Sequence, residues 1–402
     1  MPTLGAVVVF LIIVLTLPLA NLLWWWRMHR RARLLPGRRA WRVGLAMFCG
    51  FQAVAFVLLM GSRWVGARMA LPAPLLATFM VWNLLVLPVT WGVLLLIDAV
   101  RGGVWATRWA RGKPVSNDEP RASLLAVSQS DAPAPDALRA AKPQANSGAV
   151  LSREAVPSVS RRQLLGAAAI AIPPLVTFAA VGRGWSQLDR FRIRPFDIVL
   201  RDLPSALDGM TIAQVSDVHV GRWTRAGQLG AIVEATNRLR TDLVLLTGDL
   251  IDYTLADLPA GLDMVKRLDP RSGLAMCEGN HDLFDGREEF DRRVKASGVP
   301  LLVDETMTVK VRGQEVQVLG LQWGPRRAGG TRVIDSSMDV LLRQRREGAF
   351  PILLAHHPHA FDRAAKEGIP LTLSGHTHGG QLMLTEELGP GPIMYRYWSG
   401  LY

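Results

Sequence analysis

Cysteine is nearly missing: Cys49 and Cys277 are the only two among 402 residues. One lies in an apolar run and the other at the end of a predicted strand, which excludes a disulfide framework and leaves the compartment unread from cysteines. Acid is scarce in the first part of the chain. Up to Gly182 there are 6 Asp and Glu against 19 Lys and Arg, and from Arg183 onward 28 against 27. The first part therefore carries +13, the second −1, and the whole chain +12. A nucleic-acid surface would have to lie on the globular part, which has no net positive charge, so no nucleic-acid partner is expected. A P-loop lysine and a G-x-S-x-G elbow are also missing, which removes support for nucleotide-driven transport and serine hydrolysis. No repeat of solenoid period is present.

Charge disappears altogether from four long stretches: Met1 to Trp26, Val43 to Ser62, Met69 to Ile97 and Gln163 to Gly182. A helix of about 20 uncharged apolar residues crosses the hydrocarbon of a bilayer. Four transmembrane helices are therefore expected, because helices of a soluble core rarely lack a polar face for so long. The last run holds Pro173 and Pro174, which kink a span without abolishing it. Between the first two runs lie Arg27, Arg30, Arg31, Arg33, Arg38, Arg39 and Arg42, whereas the next loop has only Arg63 and Arg68. Arginine flanking a span stays in the cytoplasm, so both the amino terminus and the large carboxy-terminal part are expected outside it. Trp24, Trp25, Trp26, Trp105 and Trp109 stand where an interfacial aromatic belt lies.

The expected organisation is three spans with an Arg-rich cytoplasmic loop over 1–113, a disordered linker over 114–159, a fourth span over 160–182 and a globular domain over 190–402. The linker is rich in Ala, Ser and Pro and cannot bury a core. Ser160-Arg161-Arg162-Gln163-Leu164-Leu165-Gly166 reads either as a twin-arginine export signal or as the positive-inside flank of the fourth span. Either reading places the following domain outside the cytoplasm.

From about Phe196 short apolar strands alternate with helical segments. Ile212–Val215, Leu243–Leu246, Leu274–Cys277 and Ile352–Leu354 read as strands, and Leu229, Ile232, Val233 and Leu239 fall on one helical face. Val309–Val311 and Val316–Leu319 read as a hairpin across Arg312-Gly313-Gln314-Glu315. The class is α/β, with ligands expected at the carboxyl ends of strands.

Seven of the eight histidines lie between 219 and 378, and they are grouped. The groups are Asp217-Val218-His219, Gly248-Asp249, Gly279-Asn280-His281-Asp282, His356-His357-Pro358-His359 and Gly375-His376-Thr377-His378-Gly379. Each alone is weak, since D-x-H and G-D recur by chance, but the first four each follow a predicted strand. Paired divalent ions about 3.5–4 Å apart repel each other and need a shared carboxylate, for which Asp249 is the candidate. Imidazole and carboxylate suit Mn, Fe or Zn better than Mg or Ca, with Mn favoured. On an extended stretch His376 and His378 would point to the same side.

The order and spacing D-x-H, GD, GNHD, H, GHxH resemble the calcineurin-like metallophosphoesterase superfamily over about Met210 to Gln381. The GHTHGGQ segment and the Leu-Leu-Ala-His context of His356 look like a group of membrane-associated bacterial phosphodiesterases. The resemblance implies a four-layer αββα sandwich following the bundle of four transmembrane helices, and two divalent metal ions. Asp217, His219, Asp249 and His378 would hold one ion, and Asp249, Asn280, His356 and His376 the other. His281 would stand over the phosphate as the catalytic acid, with Asp282 orienting it; His357 and His359 match no motif. The implied reaction is in-line attack on phosphorus by a metal-bridging hydroxide, with no covalent enzyme intermediate.

Family members usually carry several dozen residues beyond GHxHGGQ, so the sandwich is expected to be incomplete at its carboxy end, and a native end there would expose a sheet edge. The function expected is a membrane-anchored hydrolase of phosphodiesters or diphosphates at the extracytoplasmic face of the inner membrane. Placement beside the bilayer favours a lipid headgroup, a lipid-linked precursor or an envelope polymer as substrate. The alternative, a non-catalytic receptor or scaffold, would ordinarily have lost a ligand, and none is missing.

Overall fold

The computed structural model describes residues 4–65, 71–110, 160–324, 331–380, 389 and 391–402. The expected linker over 114–159 and Gln381 lie outside them. The chain divides into two units, Met1–Gln187 and Leu188–Tyr402.

The first unit is helical: α1 (Leu4–Ala32), α2 (Arg38–Val65), α3 (Ala73–Val81), a π-helical turn (Trp82–Val86), α4 (Leu87–Ala110) and α5 (Arg161–Gln187). Among the described residues three helical stretches are long and apolar enough to cross a membrane: Arg38–Gly61, Ala73–Trp109 and Arg161–Gln187. The expected first span falls on α1, 29 residues long, whose side chains at 4–13 lie outside the described set. Leu15, Leu19, Leu22 and Leu23 on α1 are exposed, as apolar residues facing lipid would be.

Polar side chains within these apolar runs find one another. Asn83 Nδ2 donates to Gln52 Oε1 at 3.0 Å, Asn21 Nδ2 to Asn83 Oδ1 at 2.8 Å, and Trp82 Nε1 to Asn21 Oδ1 at 2.7 Å. This knot joins α1, α2 and the π turn, and it satisfies groups that hydrocarbon could not. Arg27 and Asp98 pair at 2.7 Å between α1 and α4. At the start of α5, Ser160 Oγ accepts from Gln163 N–H while Gln163 Oε1 accepts from Ser160 N–H, a reciprocal cap. The helix continues through Pro173 and Pro174, and Thr177 Oγ1 donates to the Pro173 carbonyl at 3.0 Å.

In the second unit β1 (Ile212–Val215), β2 (Leu243–Leu246) and β3 (Gly273–Met276) form a parallel sheet in the order 1-2-3. The connecting helices are α6 (Ala226–Arg238) and α7 (Leu258–Lys266), and α8 (Arg287–Ala296) follows β3. A second sheet, in the order 4-5-6-7, holds the antiparallel pair β4 (Glu305–Val311) and β5 (Gln314–Gly320). Then come β6 (Phe350–Leu354) and β7 (Leu371–Leu373), each parallel to its neighbour, with α9 (Thr331–Arg343) and α10 (Ala360–Lys366). A short helix, α11 (Gly391–Met394), lies near the carboxy end.

The hairpin is longer and its turn tighter than expected. Val311 pairs with Gln314, so only Arg312 and Gly313 turn, at φ 51° and 87°. Two positive φ values suit the right-handed twist of the flanking strands. β7, of three residues, is too short to stand out in the sequence. Leu229 and Val233 of α6 are buried, whereas Leu239 lies past its end and is exposed.

Alternation along β2 feeds two cores. Val244 and Leu246 join Ala213, Met276, Met264 and Phe290, from strands and helices of the first sheet's side. Leu243 and Leu245 join Val316, Val318, Ile352 and Leu354 of the second sheet. Leu319 and Leu353 turn the other way, toward Met338, Leu341, Ala360 and Ala364 on α9 and α10. Leu245 is fully buried where strands of both sheets meet. Leu245→Ala is expected to cost about 2–5 kcal/mol of stability. Guanidinium unfolding of the carboxy-terminal unit within the full chain measures it, and a change below about 0.5 kcal/mol would mean that the sheets share no such core.

Candidate metal centre

Every motif cluster emerges at the carboxyl end of a strand. Asp217 and His219 follow β1, Asp249 follows β2, Asn280, His281 and Asp282 follow β3, His356 follows β6, and His376 and His378 follow β7. Asp217, His219, Asp249, His376 and His378 all have positive φ, between 47° and 73°. Left-handed backbone at non-glycine residues costs on the order of 1–3 kcal/mol and gathers at functional sites. It also replaces the extended geometry expected for the last cluster. His376 and His378 reach the site from a turn, because β7 stops at Leu373 and a 3₁₀ turn begins at His378.

Glycine is required where backbone and ligand nearly touch. A Cβ on Gly279 would collide with the Asp249 carboxylate and amide, and one on Gly375 with the Ser216 hydroxyl and the Asp217 carboxylate.

Two donor sets converge on Asp249, beside a third of His219, Asp252 and His281. Asp217, His219, Asp249 and His378 form one, and Asp249, His356 and His376 the other. His378 Nε2 lies 3.3 Å from Asp217 Oδ1 and 3.0 Å from His219 Nε2, which lies 3.6 Å from Asp249 Oδ2. His356 Nε2 lies 3.1 Å from Asp249 Oδ2 and 3.2 Å from Asn280 Oδ1, and His376 Nδ1 lies 2.8 Å from the same Asn280 oxygen. Asp249 therefore serves both sets and Asn280 joins the second.

The proton inventory shows why cations fit. His356 Nδ1 donates to the Thr247 carbonyl at 2.7 Å, so in the neutral ring its Nε2 presents a lone pair to Asp249 and Asn280 oxygens. Acceptors face acceptors. Among the described residues no Lys or Arg pairs with Asp217 or Asp249. Burial alone would raise the Asp249 pKa, but His356 and His219 beside it outweigh burial and lower it. Burial, then the neighbouring His356, pulls His376 down to about 4, leaving one ring nitrogen as a lone-pair donor at neutral pH. Buried carboxylate and imidazole with no protein cation is a donor set for borderline divalent metals.

Supporting contacts hold this geometry. Gln214 Nε2 donates to Thr247 Oγ1, Thr247 Oγ1 to Ser216 Oγ, and Ser216 Oγ to Asp217 Oδ2 at 2.5 Å. Asp282 does not reach the His281 ring, contrary to the expected pairing. Its carboxylate is fully buried and accepts the backbone N–H groups of Asp249, Gly279 and Ile251, which locks the two ligand loops together. Burial, and next the Asp249 charge, pushes Asp282 up to about 7. The residue that orients His281 is Asp252: His281 Nδ1 donates to its carbonyl at 2.6 Å and lies 3.6 Å from its carboxylate. Burial alone would lower the His281 pKa, and Asp252 more than reverses it. The only sequence signal for Asp252 is its position three residues after Asp249.

His357 and His359 enter neither donor set. The His357 ring lies 5.6 Å from His376, and Trp323, which no motif marks, lies 4.8–5.3 Å from His356, His357 and His376.

Residues 210–380 match the family model described as calcineurin-like phosphoesterase. A Danio rerio transmembrane protein with metallophosphoesterase domain is 31% identical over 213 residues, 51% of this chain and 48% of that protein. The chain thus spans about half the length of that relative. The Bacillus subtilis metallophosphoesterase YkuE is 26% identical over 61% of this chain and 84% of its own. Escherichia coli phosphodiesterase YaeI is 26% identical over 56% and 79%. Residues 210–380 of this chain thus make up a calcineurin-like metallophosphoesterase domain.

Proposed function

We propose that the chain is a membrane-anchored, metal-dependent phosphoesterase that cleaves phosphodiester or diphosphate bonds by in-line attack of hydroxide on phosphorus. The observation that carries this reading is the sharing of Asp249 between two donor sets. Two divalent cations held there, with Mn favoured among Mn, Fe and Zn, supply hydroxide at neutral pH and neutralise the phosphoryl oxygens. Asp217, His219, Asp249 and His378 hold one and Asp249, Asn280, His356 and His376 the other.

The protein's own groups do the rest. Asp282 fixes the loops that present Asp249 and Asn280. Asp252 holds Nδ1–H of His281 and favours its doubly protonated ring, whose Nε2–H gives its proton to the departing alkoxide as the P–O ester bond breaks. Alternate burial of Leu243, Leu245, Leu319 and Leu353 against their neighbours supports a four-layer αββα arrangement around this centre.

The three apolar helices, together with α1, support a four-span anchor over 1–113 and 160–182. The arginines between Arg27 and Arg42 support a cytoplasmic loop there, which puts the domain over 190–402 outside the cytoplasm at the inner membrane. A site tethered beside a bilayer favours a lipid headgroup, a lipid-linked precursor or an envelope polymer as substrate.

Asp249→Asn is expected to lower both metal content and hydrolysis of an activated aryl phosphodiester. His281→Ala should keep the metals and lose about 10²–10⁴-fold in rate, the usual worth of a general acid. Asp282→Ala should behave like Asp249→Asn, since it frees three backbone groups behind the ligands. Elemental analysis beside steady-state kinetics checks all three, and metal loss from His281→Ala would mean that the roles are misassigned. For topology, alkaline phosphatase fused after Gly182 should be active; activity of only a cytoplasmic reporter there would overturn the outward placement.

A further inference from the structure

We propose that Trp323 and His357 form a subsite for the ester group that stays on phosphorus during cleavage, which makes the enzyme selective for phosphodiesters over phosphomonoesters. This rests on the phosphoesterase reading above and deepens it. The loop after β5 that carries Trp323 is held from behind. Trp323 N–H donates to Glu278 Oε1 at 2.8 Å, and Glu278, which is fully buried, pairs with Arg287 at 2.9 Å. Arg287 also donates to Gln322 Oε1 and to the Gly324 carbonyl, each at 2.9 Å. Arg287 is thus spent on fixing the loop.

The indole so placed lies 5.2 Å from His356 and 4.8 Å from His376, ring to ring, against the second donor set. His357 completes the group at 5.3 Å from Trp323 and 5.6 Å from His376. Its Nδ1 accepts the His359 N–H at 3.2 Å, so the ring's own hydrogen sits on Nε2. Neither Nε2 of His357 nor Nε1 of Trp323 has a hydrogen-bond partner among the described residues, and both side chains are half-buried. Two uncharged N–H donors and an aromatic surface therefore stand next to the second donor set.

Position decides which ester group they meet. His281, the proton donor, packs at 4.4 Å on His219 of the first set. The leaving group departs on that side, and the retained ester group falls to the side of His356 and His376. Donors without charge suit oxygen acceptors on a neutral group, and the indole suits a flat or apolar surface. A monoester has no such group to meet them.

The test compares bis(p-nitrophenyl) phosphate with p-nitrophenyl phosphate on the metal-loaded full chain in detergent. Trp323→Ala and His357→Ala should each lower the diester-to-monoester ratio of kcat/KM about tenfold, mainly through KM for the diester, the size of one lost uncharged contact. His357→Gln, which keeps an N–H donor, should recover most of the ratio, and Trp323→Phe should lose less than Trp323→Ala. Two ions per chain in every variant separates the subsite from metal binding. A ratio within about twofold of wild type, equal loss on both esters, or loss of ions would overturn the subsite. A wild-type chain that holds two ions and cleaves neither ester would overturn the phosphoesterase reading together with it.

Discussion

A carboxylate with 1% of its surface in water cannot keep its charge unless something positive stands beside it, and Asp249 is that carboxylate. Its oxygens face the ring nitrogens of His219 and His356, while its backbone N–H is held by Asp282. His356 has already given its Nδ1 hydrogen to the Thr247 carbonyl, so in the neutral ring it has only a lone pair to offer. In the absence of cations the cluster must take up protons; with them it is satisfied as it stands. The left-handed backbone at Asp217, His219, Asp249, His376 and His378 and the glycines at 279 and 375 follow from bringing these loops so close.

Much of this site could be read from residue order alone, because each ligand cluster sits where a strand ends and three of the five carry a glycine. What escaped were partners joined only in space. Asp282, adjacent to His281, read as the residue that orients it, yet its carboxylate turns to three backbone amides and Asp252 from the neighbouring loop takes the histidine. Adjacency in sequence put the wrong aspartate forward, since the turn after Asn280 sends consecutive side chains to opposite places. Strand alternation likewise failed at His376 and His378, where the chain is already turning. Trp323 lay beyond sequence reasoning altogether, because a lone tryptophan after a strand has no spacing to mark it.

The fold followed the same pattern. Long uncharged runs mark the apolar helices, and βαβ alternation marks the parallel sheet, both being periodic signals. β7 has three residues and leaves no period to detect. The hydrogen-bonded knot of Asn21, Gln52, Trp82 and Asn83 was hidden because each polar residue sits alone in an apolar run, and only packing of α1, α2 and the π turn brings them together. In hydrocarbon such a knot helps to set which helix faces which.

The central claim is a pair of cations around Asp249. Anomalous diffraction at the manganese edge, from crystals of the full chain grown with Mn, tests it most directly. The account predicts two peaks about 3.5–4 Å apart, one on each side of Asp249. A single peak, or none with the same side chains in place, would contradict it.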